Sequence, residues 1–390
     1  MGRLAWRDRR AWFEFDASVV RDGLPLSPFR LPPAPGVLEA PLSPFAGLFG
    51  LFDDSLPDGW GRLLQDRRAA QLGLAPGVLT PLDRLAWVGR TGLGALAYEP
   101  ELSASPDGEA SAPSDLDALA EAGEEVLRGH AVEILPELLR VGGSPQGARP
   151  KALVWLRPTD FHVSTAPARP SPDHRQVLVK FRATADGEDA GAIEYAYHQL
   201  AMRAGLAVPE AWLVPSQRGA GWFAVERFDR TATGVPIHTH TLCGLLHADH
   251  RLPSLDYVGA MAAAHRLCGD QRAVVAVFRR MVFNVVAHNR DDHTKQLSFC
   301  WRPASGWALA PAYDLTFAEG PGGEHSMSVA GRGRPGRAAL LAAAQQAGVS
   351  EALAVSIIEE VTTAVTEGWR AVAPSGAARA RIAAYLGLGA

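Results

Sequence analysis

The sequence predicts an α+β fold built from more than one packed unit. Three observations carry this. Strand-like runs such as QVLVKFRA (176–183) and GWFAVERFD (221–229) stand among helix-like runs such as AIEYAYHQLAMRAG (192–205). From about Thr233 onward the chain reads mostly helical. Finally, 390 residues are too many for one small core and imply two or three units. The expected order is a mixed N-terminal unit over 1–102, a linker over 103–116, a mixed middle unit over 117–233 and an α-rich unit over 234–390. No repeat of solenoid period is present.

The elements follow from local patterns. WFEFDASVV (12–20) partly alternates, which favours a strand. A Pro-rich loop follows. SLPDGWGRLLQDRRAAQLG (55–73) reads as a helix, with Trp60, Leu63, Leu64 and Arg67 on one face and Gly73 placed to end it. TPLDRLAWV (80–88) predicts a short helix with Thr80 as N-cap and Pro81 in its first turn. Residues 103–115, SASPDGEASAPSD, are small, polar and Pro-containing, as linkers are. A helix is expected over 116–129. Gly205 and Pro209 stop the helix that begins near Ala192. Four further helical runs begin near Tyr257, Ala273, Arg337 and Glu351.

Composition narrows the function classes. Hydrophobic residues make up 47%, charged residues 21%, and the net charge is −4, a globular balance with no broad basic footprint for nucleic acid. The three cysteines, Cys243, Cys268 and Cys300, form no C-x-x-C, which argues against a disulfide framework or a zinc site and fits a reducing compartment. The opening MGRLAWRDRRAW lacks the apolar run of a signal peptide, and no stretch approaches the ~18–20 apolar residues of a membrane helix. A cytoplasmic location is expected.

The chemistry concentrates in HNRDDHTKQLSF (288–299) and LAPAYDLTF (309–317). Phosphoryl transfer needs a carboxylate to orient or deprotonate the attacking hydroxyl, and oxygen ligands to hold Mg²⁺ on the phosphates. Kinases place a base Asp five residues before a metal-binding Asn, with a second metal-binding Asp after a strand. Here Asp291 is followed five residues later by Gln296, and Asp314 comes after one more strand-like run. Caps and turns also use Asp and Asn, but one loop with two Asp, two His and a Lys between apolar segments favours a functional reading. VGGSPQGARPKALV (141–154) is a glycine-rich loop able to approach phosphate, though not a Walker A loop. Lys180 ends an apolar strand, and Glu194 lies on the following helix. A strand lysine paired to a helix glutamate is how kinases hold the α- and β-phosphates. WFAVERFDR (222–230) could offer backbone groups to adenine and Phe228 an apolar face; a simple edge strand is the competing reading.

In this order the blocks resemble the HipA family, serine/threonine kinase toxins of bacterial toxin–antitoxin pairs. SLPDGWGRLLQDR, DRLAWVGRTGLGAL, GSPQGARPK, EYAYHQLAMRAGLAVPEA, AVERFDR, NRDDHTKQLSF and LAPAYDL match successive family blocks nearly end to end. The resemblance implies a bilobal, protein-kinase-like fold with an added N-terminal subdomain, and ATP and Mg²⁺ as cofactors. It implies that Asp291 is the catalytic base, that Asp314 holds Mg²⁺ together with Gln296, and that Lys180 contacts phosphates and pairs with Glu194. It further implies nucleotide contacts from Ser144, Gly147, Ala148, Lys151 and His293, adenine-hinge roles for Glu226 and Phe228, and a ribose contact from Asp229. Ser144 aligns with the serine that family members autophosphorylate to switch themselves off. The family has Asn where this chain has Gln296, and the alternative is therefore a non-catalytic ATP-binding module. The implied partners are a helix-turn-helix antitoxin (HipB-like), with any DNA contact made through it, and a protein substrate such as an aminoacyl-tRNA synthetase.

Three segments invite other readings. GRTGLGAL (89–96) lacks the strand–glycine–helix context of a dinucleotide loop and is expected to turn into a strand. HTHTLCGLLHADH (238–250) follows no metal-ligand spacing and is expected to be a polar connecting segment. GRGRPGR (331–337) is a small basic run, read as a solvated loop or, less favoured, a contact to phosphate or a nucleic-acid-bearing substrate.

Overall fold

A computed structural model describes residues 1–75, 77–102, 115–129, 136–142, 147–166, 169–184, 186–374 and 377–388. In chain order its elements are β1 (Gly2–Arg7), β2 (Arg10–Phe15), α1 (Ala17–Asp22), β3 (Val37–Glu39), α2 (Gly50–Asp53), α3 (Gly59–Gln71), α4 (Pro81–Val88), α5 (Leu116–Arg128) and α6 (Pro136–Gly142). There follow β4 (Lys151–Arg157), β5 (His162–Ser164), β6 (Arg175–Lys180), α7 (Ala190–Arg203), β7 (Ala211–Val214), β8 (Trp222–Glu226), β9 (His238–Thr241) and α8 (Leu242–Leu246). The chain ends with α9 (Tyr257–Cys268), α10 (Gln271–Val286), β10 (Ser298–Arg302), β11 (Gly306–Leu309), α11 (Arg337–Gln346), α12 (Glu351–Val372) and α13 (Ala377–Tyr385). Contacts divide it into two units, Met1–Gly191 with Glu210–Thr239, and Ala192–Pro209 with His240–Ala390. This differs from the boundaries expected at 103 and 233. The N-terminal and middle segments fall into one unit, and nearly all of α7 falls into the other.

In the first unit β1, β2 and β3 form an antiparallel sheet, with Gly2 opposite Phe15 and Trp12 opposite Glu39. Phe13 makes edge-on contacts with Phe15 at 4.7 Å and Phe52 at 4.9 Å. The strand expected over 12–20 stops at Phe15, and Ala17–Asp22 are helical. The two-residue alternation breaks at Asp16, which sits extended at the helix start, and Gly23 closes the helix in the left-handed conformation. The second sheet has the antiparallel order β5-β4-β6-β8-β7. Trp60 and Leu64 of α3 and Leu119 and Val126 of α5 pack with Val154, Val177 and Ala224 of this sheet in one buried cluster. The Trp60 indole donates to the Lys151 carbonyl at 3.2 Å. Both helices predicted near 60 and 81 form, the latter with a reciprocal capping box between Thr80 and Asp83.

In the second unit α9, α10, α11 and α12 enclose a helical core, with Phe278, Met281 and Phe283 of α10 fully buried. Tyr197 of α7 donates to the Ala287 carbonyl at 2.7 Å and lies edge-on to Trp369 of α12, so α7 is anchored here. β10 and β11 form an antiparallel hairpin with Phe299 opposite Leu309, and the end of β9 (240–241) completes a three-stranded sheet. The polar segment expected at 238–250 is therefore a strand and a short helix. Its histidines hide an apolar pattern, and His240, Leu242, Cys243 and Leu245 are all fully buried. No helix among the described residues is long and apolar enough to cross a membrane.

Candidate active site

The loop after α10 carries Asp291. His288 adopts a left-handed φ of 52°, a conformation unfavourable for a side-chain-bearing residue and concentrated at functional sites. Asn289 is fixed twice to Asn284 of α10, by its backbone N–H to the Asn284 carbonyl and by its side-chain NH₂ to Asn284 Oδ1, each at 2.9 Å. The Arg290 N–H donates to the Ala318 carbonyl, and the Ala318 N–H donates to the His288 carbonyl. Burial, then the charges of Arg290 and His325, push the His288 imidazole below its ordinary value, which keeps it neutral near pH 7.

Asp291 and Asp292 have opposite fates. The Asp292 carboxylate is fully buried and accepts from the Tyr257 hydroxyl, His325 Nδ1 and the Ser326 N–H, each at 2.8 Å. Tyr257 in turn accepts from Asn284 Nδ2 at 2.9 Å. Burial, then the Asp292 charge, raises the Tyr257 phenol well above its ordinary value, so it remains a donor. With Asp292 drawn inward, the Asp291 side chain is turned out and 61% exposed, with His293 Nε2 at 3.9 Å from Oδ1. A carboxylate presented this way can accept a proton from an approaching hydroxyl.

Asp314 follows β11 and also has a left-handed φ, 55°. Gln296 Nε2 donates to its Oδ2 at 2.6 Å. The two residues that the sequence placed in one metal shell are thus in contact. Tyr313 locks the segment by donating to the Lys295 carbonyl and sharing a hydrogen bond with Ser298 Oγ, both at 2.5 Å. The buried Arg280 guanidinium lies 5.6 Å over the Tyr313 ring and donates to the Pro311 carbonyl at 3.1 Å. A carboxylate beside an amide is a hard oxygen donor set once the amide turns its oxygen inward, and it suits Mg²⁺, which completes its shell with phosphate and water. Among the described residues no group of three His, Cys, Asp or Glu side chains could hold a metal by itself.

In the first unit Lys151 and Lys180 are Cα partners on neighbouring strands, and both are buried. Gly147 has φ 104°, and a Cβ there would fall 2.1 Å from Lys151 Nζ, so this backbone must be glycine. Its N–H donates to the Asp58 carboxylate, and its carbonyl accepts from the Trp60 N–H at 2.9 Å. Ala148 is exposed beside it. Ser144 lies outside the described residues. Lys180 Nζ sits 5.9 Å over the Phe223 ring. Glu194 is buried on α7, in the second unit.

At the end of β8, burial and then Glu210 lift the Glu226 carboxyl above its usual range, against a lesser pull from Arg175. Phe228 is half-buried. Asp229, expected near the ribose, lies at the centre of an arginine cluster. Its buried carboxylate accepts from the Gly94 N–H at 2.7 Å, Arg227 Nε and Nη2 at 2.9 and 2.7 Å, and Arg230 Nη1 at 2.7 Å. Burial would raise its pKa, but the two guanidiniums and the amide outweigh it and hold the group below the carboxylate range. The same guanidiniums donate to the Gly92 and Gly94 carbonyls. Residues 89–96, expected to turn into a strand, form a turn with no strand after it, and the backbone at Gly92 and Gly94 is committed to the cluster around Asp229. Asp58, Tyr257, Asn284, Asp292 and His325 were all missed by spacing. Asn284, a polar residue inside the apolar run of α10, was the available signal.

Known proteins share this architecture. The HipA N-terminal domain family matches residues 1–99, and the HipA-like C-terminal domain family matches residues 143–369. The chain belongs to the HipA family. It is similar to HipA in the Shewanella oneidensis MR-1 complex of HipA, HipB and operator DNA, with a TM-score of 0.68 and 18% identity, over 99% of this chain and 92% of that one. The fold is accordingly the α+β fold of that protein. A Sinorhizobium fredii protein called "Putative kinase Y4dM" is 29% identical over 137 residues, 31% of this chain and about a third (32%) of its own length. Helicobacter pylori proinflammatory kinase CtkA gives a TM-score of 0.38 at 11% identity over 54% of this chain and 85% of its own, too low to bear on the fold.

Proposed function

We propose that this chain is a Mg·ATP-dependent serine/threonine protein kinase of HipA type, the toxin partner of a helix-turn-helix antitoxin in the cytoplasm. The observation that carries the reading is the outward Asp291 carboxylate, held by the inward Asp292 network, on the same loop as Gln296 and its Asp314 contact. Asp291 accepts the proton of the acceptor hydroxyl. Asp314 and Gln296 hold Mg²⁺, which neutralises charge on the phosphates. Lys151, Lys180 and the Gly147–Ala148 backbone bind phosphate, and His293 orients the nucleotide. Glu226 and Phe228 receive adenine, and Asp229 positions that segment by clamping Arg227 and Arg230. Self-transfer to Ser144 adds nearly two negative charges beside the phosphate loop and switches the enzyme off. The acceptor is a protein hydroxyl, with an aminoacyl-tRNA synthetase as the first target to try, and DNA is reached through the antitoxin.

The Gln296 amide favours one second reading, because its N–H already satisfies the Asp314 carboxylate. In that reading the chain binds ATP and acts by interaction alone. Labelled ATP with Mg²⁺ and a cell lysate separates the two. The kinase labels itself and a lysate protein, Asp291→Asn removes both signals, and Ser144→Ala removes only the self-label. ATP binding with no transfer establishes the interaction module instead.

A further inference from the structure

Two loops of the second unit carry Asp291 and Asp314, and the last helix of the chain reaches both. The loops are joined by main chain. Asn289 and Ala318 pair in parallel, with the Arg290 N–H donating to the Ala318 carbonyl at 3.2 Å and the Ala318 N–H to the His288 carbonyl at 3.0 Å. Each loop also holds a strained residue. His288 (φ 52°) stands three residues before Asp291, and Asp314 itself has φ 55°. Such left-handed conformations persist where the surroundings over-determine them.

Helix α13 is part of those surroundings. Arg381, Ile382 and Tyr385 lie on one face of it. Ile382 is fully buried and seats the helix. Tyr385 extends that face onto the two loops. Its ring centre is 5.5 Å from the His288 imidazole, edge-on, and 5.1 Å from the Phe317 ring, tilted. Phe317 comes three residues after Asp314. The Tyr385 hydroxyl donates to Glu319 Oε1 at 3.2 Å, and the Arg381 guanidinium lies 5.5 Å over the Phe317 ring. At 40% exposure the Tyr385 ring is a surface clamp on the joint between the loops and not a piece of the helical core.

We infer that Tyr385 is a positioning residue: by gripping His288 and Phe317 together it fixes where Asp291 stands relative to Asp314. This rests on the kinase reading. In transfer the acceptor oxygen bonds to the γ-phosphorus, the bond to ADP breaks and the hydroxyl proton passes to Asp291, so base and phosphate must be in register at once. A misplacement of about 1 Å can cost on the order of 10²-fold in rate. The clamp touches neither substrate nor nucleotide, and its loss should lower the rate of transfer and spare affinity.

The test uses the full chain as wild type, Tyr385→Ala, Tyr385→Leu and Tyr385→Phe, with Arg379→Ala at an exposed position of the same helix as control. Single-turnover transfer at saturating ATP and Mg²⁺, affinity for a fluorescent ATP analogue, and hydrogen exchange of peptides spanning 288–291 and 314–319 are measured. Tyr385→Ala should slow transfer about tenfold to thirtyfold with ATP affinity within about twofold of wild type. It should also speed exchange over both spans by about tenfold or more. Tyr385→Leu keeps an apolar side chain to seat α13 and should slow transfer by about threefold to tenfold, so a melted helix is not needed for the effect. Tyr385→Phe keeps the ring, loses an exposed hydrogen bond of small worth and should stay within about threefold of wild type, and Arg379→Ala should match wild type. Unchanged transfer or unchanged loop exchange in Tyr385→Ala overturns the inference. So does a phenylalanine variant as impaired as alanine. If the wild type binds ATP and transfers nothing, while Tyr385→Ala alone loosens both loops, the kinase reading falls and the hold of Tyr385 on the loops stands. If the wild type transfers and Tyr385→Ala transfers equally well, the positioning role falls and the kinase reading stands.

Discussion

Replacing Asp292 by alanine tests the device that orients the active-site loop. The carboxylate satisfies three buried donors, the Tyr257 hydroxyl, His325 Nδ1 and the Ser326 N–H. Each buried donor left unsatisfied costs about 1–3 kcal/mol, and with partial relief by water in the vacated space the sum is roughly 3–5 kcal/mol. That is a large share of the ~5–15 kcal/mol by which domains are stable. Asp292→Asn keeps one acceptor, and the Tyr257 hydroxyl and the His325 tautomer can readjust, so it costs about 1–2 kcal/mol. In urea, with a slope of about 2–3 kcal/mol per molar, the midpoint should fall by roughly 1.5 M for alanine and about 0.5 M for asparagine. Far-UV circular dichroism follows the loss of the helices of the second unit. An alanine midpoint that coincides with wild type, or an asparagine variant weaker than alanine, refutes the reasoning.

Four further outcomes follow from other contacts. Gly147→Ala places a Cβ on Lys151 Nζ in a backbone with φ 104°, so titration with a fluorescent ATP analogue should show affinity lowered at least tenfold. Asp229→Ala leaves two buried guanidiniums without their carboxylate and should destabilise the first unit by about 3–5 kcal/mol in the same urea assay. The Asp229 carboxyl is held below its unfolded value, so its contribution is fully present above about pH 4 and is lost as pH falls through the folded value. A titration of stability should therefore show an acid limb that Asp229→Asn flattens. Glu226 is shifted the other way, so its contribution is present below its unfolded value and lost as pH rises through the raised one. Glu226→Gln should raise the thermal midpoint at pH 7 and leave it unchanged near pH 4.

Much of the fold was legible where a local rule decides the outcome. Thr80, Pro81 and Asp83 dictate a helix start whatever surrounds them, and Gly73 ends α3 as its lack of a Cβ allows. The segments misread were those whose polar backbone finds distant partners. Residues 89–96 look like a turn into a strand because nothing nearby shows that Arg227, Asp229 and Arg230, far along the chain, take the Gly92 and Gly94 carbonyls and the Gly94 N–H. The histidines at 238 and 240 hid a buried strand because imidazole accepts burial when a carbonyl meets it, as Leu26 does for His238 at 2.7 Å. In the site, Asp314 and Gln296 could be paired from spacing. The inward turn of Asp292 could not, since it depends on Tyr257 and His325, which spacing does not connect to it.

The most direct test of the central claim separates nucleotide binding from transfer in the Asp291→Asn variant. ATP affinity and single-turnover phosphate transfer to protein are measured on wild type and variant at saturating Mg²⁺. With Asp291 as the base, affinity should stay within about threefold while transfer falls by roughly 10²–10⁴-fold, the range general-base catalysis supplies. Transfer that survives the substitution undiminished, or a wild type that binds ATP and transfers nothing, contradicts the account.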